Sequence, residues 1–421
     1  MPVNALLLQG PVGPFFSRLA EQLQRQGIPV SKINFNGGDA FFYRHRAMAY
    51  RGDLAGWPRF FEEQIDTLAI DRVYLFGACR PYHAIARAIA MRRAMPVFVF
   101  DEGYLRPDYI TMEQAALNGA SLTPRDAHFY RELTAKELPS GRPVGQAYRT
   151  MACYASLYYV AGYLGRSQYP HYQHHRSFDV FGEAGKWLRS GFRKLRYRAL
   201  ERNIWGRLQT TLKNRYFLVP LQVYCDTQVV YRSPFRCVTQ FIETVVASFA
   251  AHATTDTVLV IKHHPMDRAY RDYTQLIAAL SQRYELEGRL FYVHDCHLPT
   301  LLRYALGTVV INSTVGLSSL YHGTPVRVLG QAVYDVPGLT FQDSLDEFWR
   351  APGRVDPDLY RRFRAYLLNT TQINGNFYRR LANTGNPMGV VWSDSDPTRP
   401  MPTENGQRVG SHIPALLECE N

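Results

Sequence analysis

The sequence predicts an α/β protein of two tandem units, their parallel sheets facing a cleft, with a helical basic insertion between them. Three observations predict this. Short apolar runs alternate with helical patterns in the first and last thirds of the chain, as in parallel sheets covered on both faces. The stretch from about 110 to 215 breaks the alternation and is rich in Tyr, His and Arg. And 421 residues exceed what one ordinary core accommodates.

In order, Ala5–Leu8 reads as a buried strand, with Gly10 and Gly13 in the turn that follows. Phe15–Gln26 reads as a helix ended by Gly27, and Pro29–Phe35 as a strand. Arg72–Phe76 is a strand, Tyr82–Arg93 a helix, and Pro96–Phe100 a strand ending at Asp101. After the insertion, Tyr216–Val223 and Thr227–Tyr231 are strand-like, and Pro234–Ala251 is helical. Strands at Thr257–Ile261, Arg289–Val293, Thr308–Ile311 and Pro325–Leu329 alternate with helices at Tyr270–Tyr284, Leu298–Tyr304 and Val315–His322. The expected domains are residues 1–215, with the insertion at about 110–215, then 216–385, then a polar, Pro-rich, flexible tail at 386–421.

Composition narrows the class. None of the six cysteines forms a CxxC pair, which fits a reducing compartment and argues against a disulfide framework. No basic stretch precedes the short apolar run Ala5–Leu8, so a signal peptide is not expected. No window of about 18 apolar residues exists to span a bilayer. The formal charge of +12 is concentrated: Lys186–Arg215 holds ten Lys/Arg and one acid, Glu201. Trp187, Phe192 and Leu195 interleave with those cations, a basic amphipathic pattern suited to anionic lipid. Lys186, Arg189, Arg193, Lys194, Arg196 and Arg198 are therefore expected to touch a membrane surface, with a solvated helix face as the plain alternative. The same segment, with 28 tyrosines, also admits nucleic-acid binding.

Ligands of α/β units bind beyond the carboxyl ends of the strands, and polar clusters occupy those positions. After PVFVF come Asp101, Glu102, Gly103 and Arg106: carboxylates for acid–base work, a glycine, and a guanidinium for an anion, or else a surface turn with a local ion pair. After VLVI come Lys262, His263, His264 and Pro265, a pattern that favours phosphate over metal. After VVI come Asn312, Ser313, Thr314 and Gly316, a helix start whose N–H groups suit an anion, although capping alone explains the serine. In VPLQVYCDTQV, Gln222, Asp226 and Gln228 would share one face of a continuous strand, as core network or cleft lining. HDCH (294–297) suggests a metal tetrad, but Asp295 as the cap of the next helix is the favoured reading.

Taken together and in order, DEGYLRPD, VPLQVYCDTQ, IKHHP and NSTVGLSSLYHGTPV resemble the KpsS/LipB family of bacterial capsule proteins. LLLQGPVGPFF, INFNGGD and TTQINGNFY strengthen the match, which covers about residues 1–385. The resemblance implies a GT-B fold and a retaining β-Kdo transferase that uses CMP-Kdo and a lysophosphatidylglycerol acceptor. It implies action on the cytoplasmic face of the inner membrane in capsule biosynthesis, with other capsule proteins as partners, no nucleic acid and no metal or other cofactor. It implies Glu102 as acid/base with Asp101 next in line, and Asp226 as nucleophile. Lys262, His264, Ser313, Thr314 and Gly316 fall to the donor phosphate and nucleotide, and Arg106 and Gln222 to sugar or acceptor groups. A noncatalytic export or scaffold subunit is the alternative. Ser318 and Ser319 stand where many related transferases carry a ribose-binding Glu, a departure from the pattern.

Overall fold

The computed structural model describes residues 3–43, 45–114, 117–134, 140–173 and 180–392. Twelve strands build two sheets: β1 Ala5–Leu7, β2 Val30–Asn34, β3 Met48–Ala49, β4 Arg72–Phe76, β5 Val97–Glu102, β6 Tyr109–Gln114, β7 Tyr216–Pro220, β8 Val258–Lys262, β9 Leu290–Val293, β10 Gly307–Val310, β11 Val326–Val328 and β12 Gln372–Asn374. The first sheet runs β12-β6-β5-β4-β1-β2-β3 and the second β11-β10-β7-β8-β9. The second is wholly parallel. In the first, β3 to β5 are parallel, while β6 lies antiparallel to β5 and β12 antiparallel to β6. This is the expected α/β architecture of two Rossmann-like units. In each, strand order reverses beside the first strand: between β1 and β4, and between β7 and β10. Those two points open the crevices where ligands enter such sheets.

Strand parity builds the cores. Leu6, Val73, Leu75, Val97 and Val99 pack under Trp57, Phe61 and Tyr82, while Ala5, Leu7, Tyr74, Phe98 and Phe100 pack under Phe15, Leu19 and Phe377. In the second unit Phe217, Val219, Leu259 and Ile261 meet Phe241, Val245 and Phe249. Its other face sets Leu218, Val258 and Val260 against Leu208, Leu301 and Leu302. Each such side chain contributes about 1.5–3 kcal/mol on full burial, which fixes register because a one-residue slip would reverse every face.

Several expectations need correction. Thr227–Tyr231 is a short helix, not a strand; Asp226 caps it by accepting from the Gln228 amide at 2.9 Å. Tyr109–Gln114, assigned to the helical insertion, is a strand whose outer neighbour, β12, comes from far along the chain. The helices Tyr148–Leu164, Val180–Leu200 and Arg202–Gln209 do form. The segment after 370 returns to the first sheet, so 216–385 does not close as one unit. Order also extends past 386: Met388 and Val390 are fully buried and Val391 bridges to Asn374. The rest of the predicted tail lies outside the described residues. Asp295 pairs with Arg198 and Arg268, and the following helix is capped by the His297 backbone.

The basic helix Val180–Leu200 differs most from expectation. Lys186 lies over the Tyr270 ring at 5.0 Å, and Arg189 donates to the Ala269 carbonyl at 3.3 Å. Arg193 donates to the Arg268 carbonyl at 2.8 Å, and Arg198 to Asp295 at 3.0 Å. Four of the six cations assigned to a membrane thus bind the second unit; Lys194 and Arg196 remain on the exposed side. Glu201, the lone acid, fastens the helix end. Its buried carboxylate accepts from the His294 amide at 2.7 Å, His294 Nδ1 at 2.7 Å and the Asp295 amide at 2.9 Å.

Candidate active site

The first wall is the end of β5. Asp101 and Glu102 are consecutive, so they leave the sheet on opposite faces. Asp101 accepts from the Glu102 amide at 2.8 Å and feels the charges of Arg106 and Arg80. Burial outweighs both guanidiniums and pushes its carboxyl up to about 6. Glu102 accepts from the Tyr378 hydroxyl at 3.2 Å. Gly103 is required by the chain itself: an added Cβ would lie 1.9 Å from the Tyr109 carbonyl oxygen. The turn that follows is held by Gln372, whose Oε1 accepts from the Tyr104 and Leu105 amides at 2.9 and 3.3 Å. The returning segment 372–378 therefore holds both the turn and its second carboxylate.

Arg80 stands at the crevice between β1 and β4. It donates to Gln9 Oε1 at 2.6 Å, and Gln9 in turn donates to Tyr158 at 2.8 Å and Tyr172 at 2.9 Å. Arg106 is exposed on the same side and donates through Nε to the Gly103 carbonyl at 3.3 Å.

The second wall is built at β7, β8 and β10. His264 follows β8 by two residues, and its Nδ1 accepts from the Met266 amide at 3.2 Å. Burial, then the charges of Lys262 and Arg106, lower its pKa to about 4. The ring is therefore neutral at pH 7, and with Nδ1 accepting, its proton sits on Nε2. That Nε2 has no hydrogen-bond partner among the described residues. His264 is thus a neutral donor.

Lys262 is not in the cleft. It shares a strand face with Val258 and Val260, and its Nζ is buried and donates to the His294 carbonyl at 3.2 Å. Burial depresses its pKa there. Gln222, Asp226 and Asn312 meet at the crevice between β7 and β10. Gln222 donates to Asp226 at 3.0 Å and to Asn312 Oδ1 at 2.9 Å, and accepts from the Asn312 amide at 3.2 Å. Its amide is therefore occupied and positions Asp226 instead of reaching a ligand. Ser313 Oγ accepts from the Val315 amide at 3.3 Å at the start of the helix Val315–Tyr321, where Thr314 is the backbone cap. Gly316 serves packing: a Cβ there would lie 2.2 Å from Tyr334 Oη.

The two walls face each other. Arg106, on the first unit, acts electrostatically on both Asp101 and His264, so all three share one gap. Gln228 Nε2 reaches Cys79 Sγ at 3.4 Å, joining the two crevices directly. Asn118 pins the units together by donating to the Asn312 carbonyl at 3.0 Å and accepting from the Val333 amide at 3.1 Å. Asp101, Arg106 and His264 are brought together, while Glu102 meets Tyr378 on the opposite face of β5; Asp226 and the Ser313–Thr314 turn line the neighbouring crevice.

The sequence profile of a family described as capsule polysaccharide biosynthesis proteins matches residues 71–378. The chain belongs to the capsule polysaccharide biosynthesis protein family. Among its relatives, the capsule polysaccharide export protein KpsS of Escherichia coli is 42% identical over 89% of this chain and 96% of its own. The capsule polysaccharide modification protein LipB of Neisseria meningitidis serogroup A is 43% identical over 90% of this chain and 92% of its own. A solved chain of Thermosulfurimonas dismutans KpsC, titled a beta Kdo 2,7 transferase, aligns at 13% identity and a TM-score of 0.39 over 92% of this chain and 94% of that one.

Sequence reading missed Arg80, Tyr378 and Gln372 as site residues. Arg80 follows the strand Arg72–Phe76 by four residues, so the strand-end rule that found Asp101 also points to it. Gln372 and Tyr378 lie in TTQINGNFY, a motif of the family resemblance, but only the long-range pairing of β12 brings them to the site. Among the described residues no group of three or more His, Cys, Asp or Glu is placed to hold a metal, and Glu201 engages His294, Asp295 and the Cys296 thiol of the HDCH run.

Proposed function

We propose that this capsule biosynthesis protein is a glycosyltransferase that moves Kdo from CMP-Kdo to a lysophosphatidylglycerol acceptor at the inner face of the cytoplasmic membrane, with retention. The observation that carries the reading is the meeting of the Asp101 carboxylate and a neutral histidine donor around one guanidinium, Arg106, between the two crevices. The sugar and the acceptor are those that the resemblance of the sequence motifs to the KpsS/LipB family implies.

The residues divide the work. The departing cytidine phosphate gains charge as its bond to the sugar breaks, and prearranged donors aimed there are the strongest catalytic device. His264 Nε2–H and the amides of Ser313 and Thr314 supply them without a metal. Arg106 binds the sugar carboxylate as a fork. Asp226, oriented by Gln222 and the Gln228 amide, attacks the anomeric carbon as the bond to phosphate breaks. The acceptor hydroxyl then displaces Asp226 and gives its proton to the first wall. The resemblance implied Glu102 for that proton, with Asp101 next in line; the burial of Asp101 favours Asp101, whose pKa near 6 suits a base at neutral pH. Glu102, held by Tyr378, fixes the charge beside it.

The test combines purified protein, CMP-Kdo and fluorescent lysophosphatidylglycerol, with and without chelator. Mass spectrometry should show one added Kdo in both, abolished in Asp226→Ala and at least 100-fold slower in Asp101→Asn. A fully active Asp226→Ala enzyme removes the nucleophile, and no product in any condition removes the transferase.

A further inference from the structure

We infer that the outer faces of the helices Tyr148–Leu164 and Val180–Leu200 form an apolar ridge that inserts into an anionic bilayer, with cations only at its edge. On the basic helix, Leu188, Phe192 and Leu195 are 78%, 69% and 68% exposed. At 3.6 residues per turn they share an arc of about 60°. The opposite side, through Lys186, Arg193 and Tyr197, is fastened to the second unit. Arg196 lies about 40° beyond one edge of the stripe and Lys194 about 100° beyond the other, both exposed.

The tyrosine-rich helix repeats the arrangement. Tyr158 and Gly162 are buried on its inner side, and Leu157, Val160 and Leu164 are 41%, 44% and 73% exposed. The two helices touch each other. Neither carries an acid over 148–164 or 184–200. An exposed apolar stripe of large side chains is costly in water and marks a contact surface. A protein partner is met by apolar residues with charges of both signs at the rim; among the described side chains of these two helices the exposed charges are cationic alone, which complements an anionic lipid headgroup layer. The described helices are not long and apolar enough to cross a membrane, so the ridge lies in the interfacial plane. The reversal of sequence expectation is physical: four cations were assigned to lipid because their positions are basic, yet they are consumed by carbonyls, a ring and a carboxylate of the second unit. This inference needs no sugar chemistry and stands or falls apart from the transferase reading.

The test is flotation of the full chain with vesicles of phosphatidylethanolamine and phosphatidylglycerol (3:1), and with phosphatidylcholine alone, at 0.15 and 0.5 M salt. Binding to the anionic vesicles should persist in 0.5 M salt, because inserted side chains are not screened. Leu188→Glu/Phe192→Glu/Leu195→Glu should lower the bound fraction at least tenfold, and Lys194→Gln/Arg196→Gln less than threefold. These residues are exposed, so melting temperature and transfer to a short-chain soluble acceptor should match the parent. Should the triple variant unfold, Phe192→Asp alone should still lower binding at least threefold. The inference is overturned if the triple variant floats like the parent, if high salt releases the protein completely, or if the variant's effect is loss of self-association in sedimentation, which would make a second copy the occupant.

Discussion

The acid limb of the pH–rate profile tests the assignment of Asp101 most sharply. Burial raises its carboxyl to about 6, while Arg106 and Arg80 pull the other way. A base works in its ionised form, so the rate should fall as pH drops through that value. The ionised fraction is about 90% at pH 7, about half at pH 6 and about 9% at pH 5, a limb of unit slope. His264 blurs only the foot of the limb, since its pKa of about 4 leaves the ring about 90% neutral at pH 5 and more so above. Arg106→Met removes one stabilising cation and should carry the limb upward, by about half a unit to one unit for a partly exposed charge. The assay is kcat against pH from 4.5 to 8.5 with saturating donor and acceptor, for the parent and Arg106→Met. A limb in the ordinary carboxylate range near 4, or a limb that Arg106→Met leaves in place, refutes Asp101 as the proton acceptor.

Other outcomes follow from the same geometry. Tyr378→Phe removes the hydrogen bond to Glu102 and should lower kcat about tenfold with KM nearly unchanged, since charge-assisted bonds contribute about 1.5–3 kcal/mol. His264→Ala removes a donor to the leaving phosphate and should lower kcat about 10²-fold, read from single-turnover kinetics. Glu201→Ala strips the acceptor from His294 and the Asp295 amide; urea denaturation should show a loss of about 2–4 kcal/mol. Gly316→Ala drives a Cβ into Tyr334 and should cost about 1–3 kcal/mol in the same assay.

Where the chain's own pattern decided structure, the sequence was readable. Arg72–Phe76 and Leu298–Tyr304 fall where apolar run and helix period place them. The site was half readable, because Asp101, Glu102, Arg106 and His264 follow strand ends, and strand ends face the cleft. Lys262 shows the limit: the last residue of a strand still obeys strand parity, and parity turns it into the core. Thr227–Tyr231 looked extended because Val229, Val230 and Tyr231 favour strands, yet the Asp226 cap started a helix. β6 was hidden because its stabilising partner on the outer side, β12, lies more than 250 residues away. Gln372 and Tyr378 were hidden for the same reason. The basic helix misled by composition, since Lys and Arg read as solvent or lipid ligands until the carbonyls they meet are known.

The account rests on one gap shared by both units, and a crystal structure with CMP bound tests that directly. It should place the phosphate within hydrogen-bond distance of His264 Nε2 and the Ser313 and Thr314 amides, with Asp101 and Arg106 across the gap at sugar's breadth. A nucleotide seated elsewhere, or walls too far apart for one sugar to touch both, would contradict it.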